Sequence, residues 1–311
     1  MAGEIETAVA PARVRPPRRD RAASRVVHVR IIEQVAELGR RDGEVRRGSP
    51  EGLHEMRVAC RRLRGVLATY RPLVDRSVTE PLRGELRWLA RGLGEARDLD
   101  VVHDRLRGLV DEEPEELVLG PVRRRIDRHF AERHEDAHAR VREVLDSPRY
   151  RSLRIGLDQL ADAPPWTEVA TRDARDVLPA RLAKELQRVR RRVDRASSTD
   201  DPVEHDAGIH AARRATKRLR YAAEALEPAW GSEASRLVGA ATRMTSRLGT
   251  RQDSVVARTE LLTLARAAAE EGENAFTYGV LHAEETRRAR RVDAEVEELL
   301  SHVELAAERL V

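Results

Sequence analysis

The chain has one cysteine, Cys60, in 311 residues, which excludes an intrachain disulfide and any multi-cysteine metal site. Aromatic residues are scarce too, at 3%. Sheets fill their pleated faces with β-branched and aromatic side chains, so this scarcity beside abundant Ala, Leu, Val, Arg and Glu predicts an all-α protein. No run approaches the roughly 18 apolar residues of a membrane span, and no apolar segment follows Met1 as a secretory signal would. The expectation is a cytoplasmic protein with no membrane partner. A Gly-rich phosphate loop, a GxSxG elbow and a Cys–His pairing are all missing, so no cofactor and no catalytic residue is expected. Lys and Arg number 58 against 54 Asp and Glu, a net charge of +4 that by itself says little about partners.

The arrangement of those cations says more. Wound at 100° per residue, Leu53 to Tyr70 places His54, Arg57, Arg61 and Arg64 within an arc of about 80°. Met56, Ala59, Leu63, Val66, Leu67 and Tyr70 take the opposite side, and Cys60 falls near them as a small core residue. Ile209 to Leu226 repeats the wheel: His210, Arg213, Lys217 and Arg220 share the arc, Arg214 and Tyr221 flank it, and Ala212, Ala215, Leu219, Ala222 and Leu226 oppose it. Glu55 lies off the first arc and Glu224 is the one acid among the basic residues of the second, so neither stripe is neutralised from within its own helix. A solvated helix face ordinarily mixes signs, because like charges at i,i+3 and i,i+4 repel by a few tenths of a kcal/mol. Two unmixed stripes predict a compensating anion.

The repeat extends well beyond these helices. An offset of 155 carries Leu82, Leu86, Leu89, Leu93, Val101, Leu106 and Leu109 onto Leu237, Ala241, Met244, Leu248, Val256, Leu261 and Leu264, and Gly94 and Asp98 onto Gly249 and Asp253. Val27, Ile31 and Leu38 map likewise onto Leu182, Leu186 and Val193, while the basic helix follows at 156. An internal duplication of four helices accounts for this, each unit reading as a helical bundle. In chain order, residues 1–22 read as a disordered basic tail. A helix ends near Asp42-Gly43, Ser49-Pro50-Glu51 opens the basic helix and Pro72 ends it, and the next helix stops at Gly94 before one that buries Val101, Leu106 and Leu109. Val122 to Leu145 traces a long helix, Leu153 to Leu160 a shorter one, and Ala163-Pro164-Pro165-Trp166 the boundary between a first unit, 23–165, and a second, 166–311. A charged helix from Phe276 to Val303 closes the second unit.

His134-Glu135-Asp136-Ala137-His138 matches HExxH, in which two His hold zinc and Glu acts as base. Its surroundings, AERHEDAHAR, are highly charged and offer no third ligand nearby, so a solvated helix face is the favoured reading over a zinc hydrolase and no metal is expected.

The anion that suits two such stripes is a long, repetitive one, held in a groove or pore shared by the two units. Arg forks grip phosphate oxygens at two points and Lys adds a point charge. A nucleic-acid-associated protein is the alternative, but single-strand readers supply aromatic stacking platforms and major-groove readers Asn or Gln, and the stripes carry neither. His54 and His210 sit among cations that favour the neutral ring, which can still donate one hydrogen bond to phosphate.

The sequences LHEMRVACRRLR and IHAARRATKRLRYAAE, each followed by Leu-Gly and an Asp four residues after the Gly, resemble the CHAD family, the conserved histidine α-helical domain, over about residues 23 to 305. The resemblance implies two tandem pseudo-symmetric four-helix bundles about a basic groove, and non-enzymatic binding of inorganic polyphosphate, often with targeting to polyphosphate granules. By position it implies a ligand-facing set of His54, Arg57, Arg61, Arg62 and Arg64 with His210, Arg213, Arg214, Lys217, Arg218, Arg220 and Tyr221, and Arg97 as an addition. Gln252 replaces Arg97 in the second copy, and Gly65 stands where the second copy has Tyr221, so the halves need not bind equally. Glu4-Ile5-Glu6-Thr7-Ala8 lacks the Lys of the ExExK opening of the triphosphate tunnel domain fused to some members, so triphosphate hydrolysis is not implied.

Overall fold

Both basic helices start with the same device. Ser49 accepts a hydrogen bond from Gly52 N at 3.1 Å with Pro50 in the first turn, and Asp201 accepts one from Val203 N at 2.8 Å with Pro202 in the first turn. A side-chain oxygen thereby satisfies one orphan helix donor, and proline occupies a position where its missing N–H costs nothing. The computed structural model describes residues 22–311, so the expected tail lies, apart from Ala22, outside the described residues. Its helices are α1 (Ala23–Arg46), α2 (Pro50–Thr69), α3 (Arg76–Gly92), α4 (Gly94–Glu112), α5 (Val122–Asp146), α6 (Pro148–Asp162), α7 (Ala174–Ser197), α8 (Pro202–Glu224), the single turn α9 (Glu227–Trp230), α10 (Ser232–Glu270) and α11 (Phe276–Ala307). Among the described residues there is no strand, only the isolated bridges Ala22–Asp173 and Val74–Trp166. The all-α expectation holds.

Three sequence expectations need correction. The first helix runs past Asp42-Gly43 to Arg46, and Gly48, at φ 80°, makes the turn. The helix expected to stop at Gly94 ends at Gly92; Leu93 alone interrupts it, with helical backbone angles, and Gly94 already belongs to α4. At the duplicated position there is no interruption, and α10 carries both helices as one. Glycine after a helical pattern signals a stop, but here the chain keeps a right-handed path through it. The core register also differs: Val102 and Ala257 are buried, whereas Val101 is half-buried and Val256 is exposed.

Each basic helix packs antiparallel on the helix before it, α2 on α1 and α8 on α7. A glycine permits each close crossing. A Cβ added at Gly52 would come within 2.6 Å of the Glu44 Cβ, and one at Gly208 within 2.9 Å of the Ala196 Cα. These positions correspond under the 156 offset, so the duplication preserves the crossing as well as the charges. Gly208→Ala should destabilise the protein by about 1–3 kcal/mol, an overpacking cost readable as a lower urea midpoint at unchanged slope. An unshifted midpoint would mean that α7 and α8 separate freely.

The two units share one continuous apolar core. Between them α1 packs on α7, α2 on α8 and α4 on α10. Polar bonds tie them further: Tyr70 Oη donates to Ala222 O at 2.8 Å, Arg105 pairs with the fully buried Glu285, and Arg125 bonds Glu271 and Glu273. The expected boundary segment is itself docked, with Asp75 N donating to Pro165 O at 2.7 Å and Thr167 N to Leu73 O at 3.0 Å.

Candidate functional site

The α2–α8 contact decides where the stripes lie. Gly65 and Tyr221 correspond under the 156 offset, and they touch: a Cβ on Gly65 would meet the Tyr221 ring at 3.2 Å. Arg61 and Lys217 also correspond, one turn earlier, and they too are neighbours. Contacts between equivalent residues mark a pseudo-twofold axis passing between α2 and α8. This explains the departure from repetition at position 65. Two tyrosines on the axis would overlap, so one copy keeps the ring and the other has glycine.

Arg61 of α2 therefore meets Arg213 and Lys217 of α8 in a basic cleft around that axis. Arg61 lies close enough to both Arg213 and Lys217 to disfavour their charged forms. Burial, reinforced by Arg213, Arg61 and Arg220, pushes the Lys217 ammonium down to about 7. Arg57 and Arg213 are held below the ordinary guanidinium value, chiefly by burial. His54 is lowered by burial and then by Arg97, which favours its neutral ring. The buried Nε atoms of Arg61, Arg97, Arg213 and Arg220 have no hydrogen-bond partner among the described residues. A set of like charges withdrawn from water in this way is costly alone and suited to an anion.

The backbone is shaped for the same side chains. The Arg57 guanidinium passes over Gly94 and that of Arg213 over Gly249, where added Cβ atoms would sit 3.7 and 3.6 Å away. Asp98 accepts from Arg57 Nη1 at 3.0 Å, and its counterpart Asp253 faces Arg213 and Lys217. Burial raises Asp253 above the usual carboxylate range despite those two cations. His210 Nδ1 lies 2.7 Å from Gln252 Oε1, which occupies the position of Arg97 in the second copy. The first copy thus sets a cation beside its histidine where the second sets an amide.

Not every residue of the expected set reaches the cleft. Arg62 donates to Glu224 at 3.0 Å, and Arg30 and Arg220 pair with the same carboxylate; Arg218 pairs with Glu185, which is 3% exposed. The Arg220–Glu224 pair corrects the reading that neither stripe is neutralised from within its own helix, since both residues lie on α8; Arg62 and Arg218, held by Glu224 and Glu185, lie about 120° from the centre of the arc. Tyr221 is buried at 3% exposure, with the Arg220 guanidinium 4.9 Å over its ring, and Arg214 is exposed. Sequence reasoning also missed Arg87, Arg83 and Arg91 of α3, whose charges disfavour that of Arg64. Residues shared by both copies do not include them, since the second copy has Val238, Thr242 and Ser246 there.

The HExxH stretch lies on α5, facing α4. His134 Nε2 and His138 Nε2 lie 3.7 and 3.9 Å from Asp100 Oδ1, and no trio of His, Cys, Asp or Glu among the described residues is placed to hold a metal ion. No helix among the described residues is long and apolar enough to cross a membrane.

Two curated proteins of Mycobacterium tuberculosis, the uncharacterized proteins MT2285 and Rv2226, are each 32% identical to this chain over 286 residues, 91% of its length. The chain spans about half of those relatives, 54% of each. Among solved structures, PptA from Streptomyces chartreusis superposes with a TM-score of 0.73 at 20% identity, covering 90% of this chain and 99% of that one. The CHAD domain from the plant Ricinus communis gives 0.68 at 26% identity, covering 95% and 97%. The CHAD domain model matches residues 30–262, a span that holds both basic helices and the axis between them. With its duplicated histidine-arginine helices, its matched span and its structural likeness to a solved CHAD domain, this chain belongs to the CHAD domain family.

Proposed function

We propose that this chain binds inorganic polyphosphate, without chemical turnover, in the cleft between α2 and α8. One observation carries the reading: equivalent cations from the two copies meet at the pseudo-twofold axis, half-buried, with the Nε atoms of Arg61, Arg97 and Arg213 lacking a hydrogen-bond partner among the described residues. A bare phosphate chain places an anionic oxygen wherever an Arg fork points and asks for no base recognition, which matches what the cleft supplies. His54, Arg57, Arg61, Arg64 and Arg97 would serve one half of the chain, and His210, Arg213 and Lys217 the other, with Arg220 shared between the ligand and Glu224. Arg62 and Arg218, committed to Glu224 and Glu185, would brace the helices, and Tyr221 would fix their crossing. Concentration on polyphosphate granules would follow in a cell that makes them.

The reading is tested by calorimetric titration with long-chain polyphosphate and with single- and double-stranded DNA at matched phosphate concentration and several salt concentrations. Every polyanion gives a steep salt dependence, about −0.7 in log–log slope per neutralised phosphate if single strands are a fair proxy, so slope alone does not discriminate. The affinity ratio does. Polyphosphate should bind far more tightly than either DNA at every salt concentration. Equal affinities would reduce the cleft to a generic basic surface and put nucleic acid first.

A further inference from the structure

Arg83, Arg87 and Arg91 recur every four residues on α3, and so form one row with about 6 Å of axial rise between neighbours. The row borders the cleft at two points. Its charges act on Arg64, the last cation of the first stripe, and Arg91 lines a cavity of about 500 Å³ with Arg57 and Arg133 and the carboxylates Glu95, Asp98 and Glu260. Arg83 is half-buried and donates to Glu80 at 2.7 Å. Arg87 and Arg91 are exposed, and neither has an ion-pair partner among the described residues, although Glu80 and Glu85 share their helix. Glu85 turns instead to Arg149, at 2.6 Å. Like charges at i,i+4 repel on a bare helix, and here Arg64 adds a further one from α2. In the second unit the corresponding surface of α10 presents Val238, Thr242 and Ser246. The row therefore has no counterpart at the equivalent positions of α10.

We propose that the α3 row is a lateral phosphate track belonging to the same site, so that a linear polyphosphate longer than the central cleft leaves it past Arg64 and lies along Arg87 and Arg91. The track rests on the polyphosphate reading above and adds two things to it: a preference for long chains, and a side of the molecule on which the free length emerges. A chain short enough to fit between α2 and α8 does not touch the row.

The test is the full chain with Arg87→Gln and Arg91→Gln together, titrated with long-chain polyphosphate and with tripolyphosphate at several salt concentrations. Both positions are exposed, so the variant is expected to keep its fold, checked by its melting temperature. Long-chain affinity should fall at least tenfold and its log–log salt slope should shrink by about 1.4, two contacts at about 0.7 each, while tripolyphosphate affinity stays as in wild type. Unchanged long-chain affinity, or an equal fall for both ligands, overturns the track and leaves the central cleft untouched. Failure of the wild-type protein to bind either ligand removes the polyphosphate reading itself, and the track with it.

Discussion

Replacing Arg57, Arg61, Arg213 and Lys217 together by alanine should abolish polyphosphate binding at physiological salt while leaving the far-ultraviolet circular dichroism helical. The four lie on both copies around the axis, and each is partly withdrawn from water, so each contributes more than an exposed surface cation would. A hydrogen bond to a charged group is worth about 1.5–3 kcal/mol. Even at the low end, four such contacts amount to about 6 kcal/mol, or about four decades of affinity. The salt slope should shrink by about 3. Polyphosphate should raise the melting temperature of the wild type and not that of the variant, because a ligand that binds only the native state stabilises it by mass action. In the ligand-free variant the relief of mutual repulsion and of desolvated charge is offset by the loss of the Arg57–Asp98 bond and of the cations facing Asp253. A helical variant that binds like wild type would place the site elsewhere. Should the variant lose helicity, Arg61→Gln with Lys217→Gln asks the same question at the axis alone.

The stripes are legible in the amino-acid sequence because side chains on an α-helix report their direction through a fixed 100° step. The same wheel sets Arg62 and Arg218 apart from the arc; it is the family resemblance that groups them with it. Their carboxylates could not be foreseen. Glu224 comes from the other copy, and Glu185 from a helix 33 residues before Arg218. The meaning of Gly65 is hidden for a similar reason: its departure from Tyr221 is visible, but the cause is a contact across an axis that only packing creates. Gly94 and Gly249 carry an ambiguous signal. As helix punctuation they suggest a stop; in the fold they are flat ground beneath Arg57 and Arg213. The α3 arginines escape notice because comparing the copies finds what is repeated and is blind to what one copy adds.

Raising the pH from about 7 to 9 should weaken polyphosphate binding by up to tenfold per unit, through Lys217. In the ligand-free protein burial and three arginines push this ammonium from its ordinary 10.5 down to about 7. Phosphate oxygens beside it favour the charged form, so its value rises in the complex. Between the free and bound values the complex holds one more proton than the separate partners, and affinity falls with each unit of pH. Titrations at pH 8 in buffers of different ionisation enthalpy should show uptake of nearly one proton. Lys217→Arg should flatten the dependence by keeping the charge. The same shift acts on ligand-free stability with the opposite slope. Between about 7 and 10.5 the unfolded chain carries the proton that native Lys217 has released, so stability rises with pH across that window, and below 7 the cost of holding a buried ammonium is fully present. Lys217→Met should remove that rise. If binding takes up no proton at pH 8, Lys217 keeps one protonation state with and without ligand, and the pH dependence assigned to it is overturned.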